Sequence, residues 1–312
     1  MNTLAVVLEK PEHLVLSRLE LTGPTADDVV VDIDFSGIST GTEKLLWSGR
    51  MPSFPGMGYT LVPGYESVGR VVEAGPNSGR AASDAVFVPG SNCFGEVRGL
   101  FGGAARRLVV PGARALPIDN KLAEHGVLLA LAATAYHATS GAGMQQPDLI
   151  VGHGVLGRMI ARLAVLAGAA PVVWETNAGR REGAQGYEVM DPATDTRRNY
   201  KSICDVSGDA SLLDTLISRL APGGEVVLAG FYDKPLSFVF PPAFMREARI
   251  RIAAQWQPTD LVQVRNHIES GALSLAGLIT HRADASDADA AYRTAFGDPA
   301  CLKMILDWRT CQ

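Results

Sequence analysis

The spacing of apolar residues changes once along this chain, close to Lys121. Before that point the apolar runs are short and strand-like. Residues 29–35 partly alternate, as a half-buried strand does, and 67–73 and 85–88 are further valine-rich runs. Turns such as Gly75-Pro76-Asn77 separate them, and residues 1–7 read as a first strand. The pattern predicts an antiparallel, barrel-like first half. Beyond Lys121, helical and strand-like segments alternate. A helix is expected over 122–137 with a Gly141-Ala142-Gly143 turn after it. A strand over 148–151, a helix over 156–167 and a strand over 171–174 follow, Arg158 and Arg162 marking the polar face of that helix. Shorter elements at 187–190 and 203–206, a helix over 212–220, the Pro222-Gly223-Gly224 turn and strands at 226–229 and 250–254 complete the series. Alternating strand and helix predicts a parallel, doubly wound α/β sheet. From Pro258 a helix over 261–270 and a mixed tail suggest a return to the first domain. The expected divisions are therefore 1–125, 126–257 and 258–312.

One stretch of the second half carries chemistry. Gly152-His153-Gly154-Val155-Leu156-Gly157 lies between an expected strand and an expected helix. In that setting the glycines permit a tight turn and close backbone approach, and the helix start offers free N–H groups to a pyrophosphate. The side chain of His153 is expected to point away from the phosphates while its backbone contributes. Glu175 ends the next strand, 23 positions beyond Gly152. That is the spacing of the acid that holds ribose hydroxyls, and its charge disfavours the 2′-phosphate of NADP, so NAD is the expected cofactor. Arg180 and Arg181 lie downstream and are expected to be solvated on a short helix after Asn177. A plain glycine turn capping a structural helix is the competing reading.

Composition narrows the class further. The 312 residues are 47% hydrophobic and 20% charged, as in a globular protein of about two domains. A net charge of −5 gives no reason to expect a nucleic-acid or anionic-membrane partner. No apolar run approaches the roughly 20 residues that span a bilayer. The first residues lack the layout of a secretion signal, and Cys93, Cys204, Cys301 and Cys311 form no close pair. A cytoplasmic protein is expected.

The chain resembles the medium-chain dehydrogenase/reductase superfamily along its whole length. The resemblance rests on Ser36-Gly37-Ile38-Ser39, Pro63-Gly64-Tyr65-Glu66 before Gly69-Arg70-Val71-Val72, and Asp84-Ala85-Val86-Phe87. Thr134-Ala135-Tyr136-His137 and Leu278-Ile279-Thr280-His281 extend it. It implies a GroES-like β-barrel catalytic domain, a central Rossmann domain and a C-terminal return to the first. Residues 36–43, 54–59, 95–103, 241–247 and 301–308 look closer still to a branch that works on bacteriochlorophyllides. That likeness implies NAD-dependent oxidation of a hydroxyethyl group to acetyl on a magnesium tetrapyrrole. It also suggests that Gly230 and Phe231 approach the nicotinamide, and that two copies pair through an edge strand near Ile250.

The chain departs from the superfamily's zinc pattern. Where zinc-dependent members place metal ligands, it has Ser39, Tyr65 and Ala130, of which a hydroxyl and a methyl group are poor ligands and a phenol a rare one. The lobe between Val88 and Gly102 holds Cys93 alone, so neither zinc is expected. Thr40, Thr42, Tyr65 and Glu66 fall where the resemblance puts the reacting alcohol and its proton relay. Tyr65 leads as donor or relay and Thr42 is second; Tyr65 as filler of the vacated pocket, and Glu66 as a structural carboxylate bonded to backbone or Arg, are the alternatives. His137 is expected to pack within a helix, His125 to lie at a helix surface or domain boundary, and His281 to follow a strand in the tail. Trp47, Met51, Phe54, Met57 and Tyr59 cluster in a Gly/Pro-rich loop and offer stacking surface to a flat pigment. Arg50, Arg98 and Arg106 are candidates for its carboxylate. A zinc-independent quinone or enoyl reductase of the same superfamily, and a non-catalytic NAD- or tetrapyrrole-binding protein, remain as other classes.

Overall fold

The structure is a computed structural model that describes residues 1–141 and 144–311. The chain forms two compact units, residues 1–130 with 278–312 and residues 131–277. Both boundaries lie later than expected at 125 and 257. The Pro258–Glu269 helix explains the second shift. Its Asp260 carboxylate meets His137 Nδ1 at 2.8 Å, and Arg162 donates to the carbonyls of Ser274 and Ala276 at 2.8 and 3.0 Å. These bonds keep 258–277 with the second unit, and the chain returns to the first only at Leu278.

In the first unit, a four-stranded sheet contains the long Asn2–Lys10 and His13–Glu20 hairpin. A seven-stranded sheet is organised around Asp28–Ile38, which pairs antiparallel with Ser67–Ala74, with Arg107–Pro111 and with the returning Met304–Asp307 strand. The valines and isoleucines of Asp28–Ile38 are buried in the core of this unit. In the return register Met304 stands opposite Ile38. The fully buried Trp308 anchors this pairing by donating from Nε1 to Ser36 Oγ at 2.8 Å.

The second unit carries a six-stranded, wholly parallel sheet. Numbering its strands along the chain (Leu149–Val151, Val172–Trp174, Glu188–Met190, Tyr200–Asp205, Leu220–Leu228, Arg249–Ile252), their spatial order is 3-2-1-4-5-6. This is the doubly wound Rossmann arrangement, in which ligands bind where the strand order reverses, here at the first strand. Two local expectations change. Pro222-Gly223-Gly224 lies inside the fifth strand, at a register irregularity between the Tyr200 and Ser202 pairings. The helix expected over 122–137 begins as a 3-10 segment, Asn120–Leu128, and becomes α-helical over Leu129–Thr139. Ala142 and Gly143 of the turn expected beyond it lie outside the described residues.

Candidate active site

The first strand of the second unit ends at Val151, and the chain turns through Gly152 at φ +105°, a conformation open to glycine and strained for other residues. Gly157 lies against that turn, where a Cβ would stand 1.9 Å from the Gly152 carbonyl oxygen. Gly154 caps the Val155–Leu166 helix, and a Cβ there would meet nothing within 4 Å. One glycine is thus demanded by the turn, one by packing, and one leaves the helix start uncovered. That cradle fits a pyrophosphate. Val155 is buried and Leu156 half-buried in the first turn of the helix. Glu175 follows Trp174, and its two carboxylate oxygens accept from the N–H groups of His153 at 3.2 Å and Asn177 at 2.8 Å. Gly230 N–H donates to the Asp205 carbonyl at 3.0 Å, which fixes it beside the 206–208 turn.

The His153 ring is wholly buried. Its Nδ1 lies 2.6 Å from the Arg180 carbonyl and must donate to it, so Nε2 accepts from the Tyr187 hydroxyl at 2.9 Å. Burial pushes this imidazole down to about 4, and it works as a neutral tie between the glycine loop and the segment after Glu175. Arg158 and Arg162 are not a solvated face, as both are buried. Arg158 donates to the carbonyls of His153 and Arg180 at 3.0 and 2.9 Å. Arg181 is not solvated either: it donates to the Glu175 and Thr176 carbonyls and pairs with Asp191 at 2.5 Å.

In the first unit the Asp28–Ile38 strand delivers Ser39, and the turn before Ser67–Ala74 delivers Tyr65 and Glu66. Tyr65 donates from its hydroxyl to Ser39 Oγ at 2.6 Å, and Thr42 hydrogen-bonds the same phenol. The residue keeps partial exposure while its hydroxyl is enclosed. Burial, and then the Glu66 charge, push the phenol above its usual range. Glu66 is fully buried, and its Oε2 accepts from Lys303 Nζ at 2.6 Å. Lys303 is itself buried and also donates to the Ile38 carbonyl at 3.2 Å. Gly37 makes room for this pair, because a Cβ there would lie 2.2 Å from Glu66 Oε2. Glu66 Oε1 has no hydrogen-bond partner, and burial outweighs the ammonium, raising this carboxyl above the usual range. The structural reading of Glu66 therefore has a concrete partner, a lysine where backbone or an arginine was expected.

Two further residues join the cluster. Glu43, in the Thr42–Trp47 helix, accepts from the Ser39 N–H at 2.9 Å and from the Tyr292 hydroxyl at 2.7 Å. Sequence reasoning passed over Lys303, Glu43 and Tyr292. For Lys303 there was a signal: it stands between apolar Leu302 and Met304 at the start of an apolar run, and a lysine buried there needs a partner. For Glu43 and Tyr292, 249 positions apart, there was none.

The expected metal positions do not assemble a donor set. Ser39 Oγ is engaged by Tyr65, Glu66 Oε2 by Lys303, and Ala130 is a buried methyl group. Among the described residues, no group of three or more His, Cys, Asp or Glu side chains is arranged to hold a metal ion. Trp47, Phe54, Met57 and Tyr59 pack half-buried against the core of the first unit, and Met51 lies inside that core. The Trp47 and Phe296 rings stand 5.5 Å apart, and Tyr59 donates to the Leu46 carbonyl at 2.5 Å. Arg106 is held by Asp32 at 3.5 Å and by the Ile33 carbonyl, whereas exposed Arg98 lies against Gly58 of the aromatic loop. His125 is half-buried in the 3-10 segment, and His281 opens the His281–Asp284 strand rather than following one. His281 Nε2 lies 3.4 Å from Asp298.

No family model matches the chain. A curated relative, the 2-desacetyl-2-hydroxyethyl bacteriochlorophyllide A dehydrogenase of Cereibacter sphaeroides, is 62% identical over 99% of both chains. Among solved structures, an Escherichia coli CFT073 alcohol dehydrogenase complexed with NADH superposes with a TM-score of 0.82 at 20% identity, covering 98% of this chain and 99% of that one. A Sinorhizobium meliloti 1021 dehydrogenase bound to NADP gives 0.79 at 21% identity, with the same coverage. These two share the fold, a GroES-like unit joined to a Rossmann unit.

Proposed function

The chain belongs to the 2-desacetyl-2-hydroxyethyl bacteriochlorophyllide A dehydrogenase family, within the medium-chain dehydrogenases, and from that premise we propose that it oxidises the hydroxyethyl group of a bacteriochlorophyllide to acetyl. The 62% identity over nearly the whole of both chains carries the substrate. The cofactor is NAD, held at Gly152, His153, Gly154, Val155, Leu156 and Gly157 with its ribose on Glu175 and its nicotinamide towards Gly230. Glu175 presents a carboxylate where NADP would bring a phosphate, and Arg181 is already engaged by Asp191. Paired assays with NAD and NADP test this, and a clear NADP preference overturns it.

In the reaction the carbinol hydrogen leaves with its electron pair and the hydroxyl proton leaves separately. When bound, the nicotinamide supplies the hydride acceptor. The chain's own residues handle the proton. Tyr65 directs its hydrogen at Ser39, and beside the Thr42 contact its oxygen keeps one lone pair to accept from the substrate hydroxyl. As that proton arrives, the phenol's own passes to Ser39 Oγ and Ser39 releases its hydroxyl proton in turn to solvent water, so that Tyr65 and Ser39 both stay neutral and the net products are the acetyl group, the reduced nicotinamide and one aqueous proton. A phenol pushed above its usual range suits a relay and not a stored base. Thr42 steadies the phenol, and the Glu66–Lys303 pair fixes the turn that carries it. No step needs zinc, and the 2.6 Å Tyr65–Ser39 bond is the observation that supports this chemistry.

Trp47, Phe54 and Tyr59 give the pigment its stacking surface, backed by Met51, and Arg98 meets its carboxylate. The enzyme works in the cytoplasm; no helix among the described residues is long and apolar enough to cross a membrane. It pairs as a homodimer through the Arg249–Ile252 strand, the last of its sheet, where Ile252 is 76% exposed. Incubating the protein with NAD and the hydroxyethyl bacteriochlorophyllide, and following visible absorption, tests the whole reading. An NAD-dependent shift as acetyl enters conjugation is expected. Pigment binding without any shift makes it a carrier, and oxidation of NADPH by quinones makes it a reductase.

A further inference from the structure

We propose that Glu43 is a positioning residue of this reaction: its carboxylate, anchored by Tyr292, holds the Ser39 amide and so aims the Ser39 hydroxyl at Tyr65. The inference rests on the dehydrogenase reading and adds to it a group that touches neither substrate nor cofactor. Both oxygens of Glu43 are in use, one on the Ser39 N–H at 2.9 Å and the other on the Tyr292 hydroxyl at 2.7 Å. The side chain is 1% exposed, so no water competes for these bonds. Ser39 sits between two holds, its amide on Glu43 and its oxygen on Tyr65 at 2.6 Å. Loosening the first lets the second drift, and a drift of about 1 Å at a reacting group costs on the order of 100-fold in rate.

Ionisation decides how firm the hold is. A carboxylate accepts both bonds as charge-assisted contacts, whereas a carboxylic acid must spend one oxygen as a donor. The charged and titratable groups facing Glu43 are Tyr292 from the Ala288–Gly297 helix, Tyr65 and Glu66 from the turn, and Lys303 just before the returning strand. Burial dominates them and raises this carboxyl to about 7. Turnover is therefore expected to climb through a limb near neutral pH as Glu43 ionises.

The tests are Glu43→Gln, which keeps shape and removes charge, and Tyr292→Phe, which removes one donor. In Glu43→Gln the limb near pH 7 should vanish and kcat above it fall ~10–100-fold, with KM for pigment and NAD within about twofold. In Tyr292→Phe the limb should move to higher pH, because the ionised form has lost a hydrogen bond. A limb unchanged in either variant, or a loss confined to KM, overturns the proposal. A measurement free of turnover separates it from the function itself. The folded protein binds the Glu43 proton more tightly than the unfolded chain does, so melting temperature should fall as pH rises from about 5 to about 7. That fall should be smaller in Glu43→Gln. Equal slopes overturn the proposal even if the pigment is oxidised, whereas failure to oxidise the pigment with the slopes differing as expected refutes the function alone.

Discussion

The glycine loop of the second unit and the hydroxyl cluster of the first are built by opposite means. The loop offers a ligand mostly backbone: three glycines, the start of one helix, and a carboxylate held by two N–H groups. Its side chains face inward and serve the turn, as His153 and Arg158 do. The cluster is made almost wholly of side chains, drawn from residues 39, 42, 43, 65, 66, 292 and 303. A backbone site tolerates change at most positions and fails at its glycines. A side-chain site can be rewritten one residue at a time, provided that every buried charge keeps a partner. In the cluster, Ser39 and Tyr65 hold each other through their hydroxyls, and the buried Glu66 keeps Lys303 as its partner.

The largest effect should come from Tyr65, the hydroxyl proposed to take the substrate's proton. Tyr65→Phe is expected to lower kcat by ~10²–10⁴-fold with KM little changed, as for loss of a proton-transfer group. Steady-state kinetics checks this, and unchanged turnover removes Tyr65 from the chemistry. Lys303→Met comes next. It strands Glu66 without its ammonium, and breaking such a buried pair costs about 3–5 kcal/mol, read as a lower midpoint in urea. A loss below about 1 kcal/mol would mean that Glu66 is neutral already. On the other side of the comparison, Gly157→Val drives a side chain into the Gly152 carbonyl. Overpacking of ~1–3 kcal/mol should weaken NAD binding about 10–100-fold in calorimetric titration and leave the cluster's pH dependence as it was. The smallest effect is expected from chelation: dialysis against a strong zinc chelator should leave turnover within about twofold, since the donor set lacks imidazole and thiolate. Near-stoichiometric zinc needed for activity would collapse the distinction between the two regions.

The same contrast explains what could be read from sequence. The Rossmann unit was legible because its signals are local: apolar strands, a glycine turn and an acid one strand later. The misses there concern side chains that a periodic pattern assigns to solvent. Arg158 and Arg162 lie four apart on a helix and are both buried, because each finds backbone carbonyls beyond its own helix. In the first unit Ser39 and Tyr65 could be singled out as substitutions in a known pattern, and Glu66 as a residue that the pattern keeps. Tyr292, the partner of Glu43, could not, because it lies 249 positions away on the Ala288–Gly297 helix, and Lys303 meets Glu66 only through a strand pairing that brings positions 38 and 304 together. The unit boundary was missed for a related reason: nothing in the spacing of 258–277 tells which unit its carbonyls will serve.

The return of the chain at Leu278 also sets an order of events during synthesis. The strand Asp28–Ile38 leaves the ribosome with Glu43 and Glu66 close behind it, but its neighbour Met304–Asp307 emerges only after the whole second unit. Until then two carboxylates destined for burial have neither Tyr292 nor Lys303 to receive them. The nascent first unit must keep them in water, open along one strand edge, while the Rossmann sheet completes. The pairings of these two carboxylates are thus among the last contacts of the first unit to form, and a chain cut short before Lys303 holds the whole Rossmann sheet but not the ammonium that Glu66 meets.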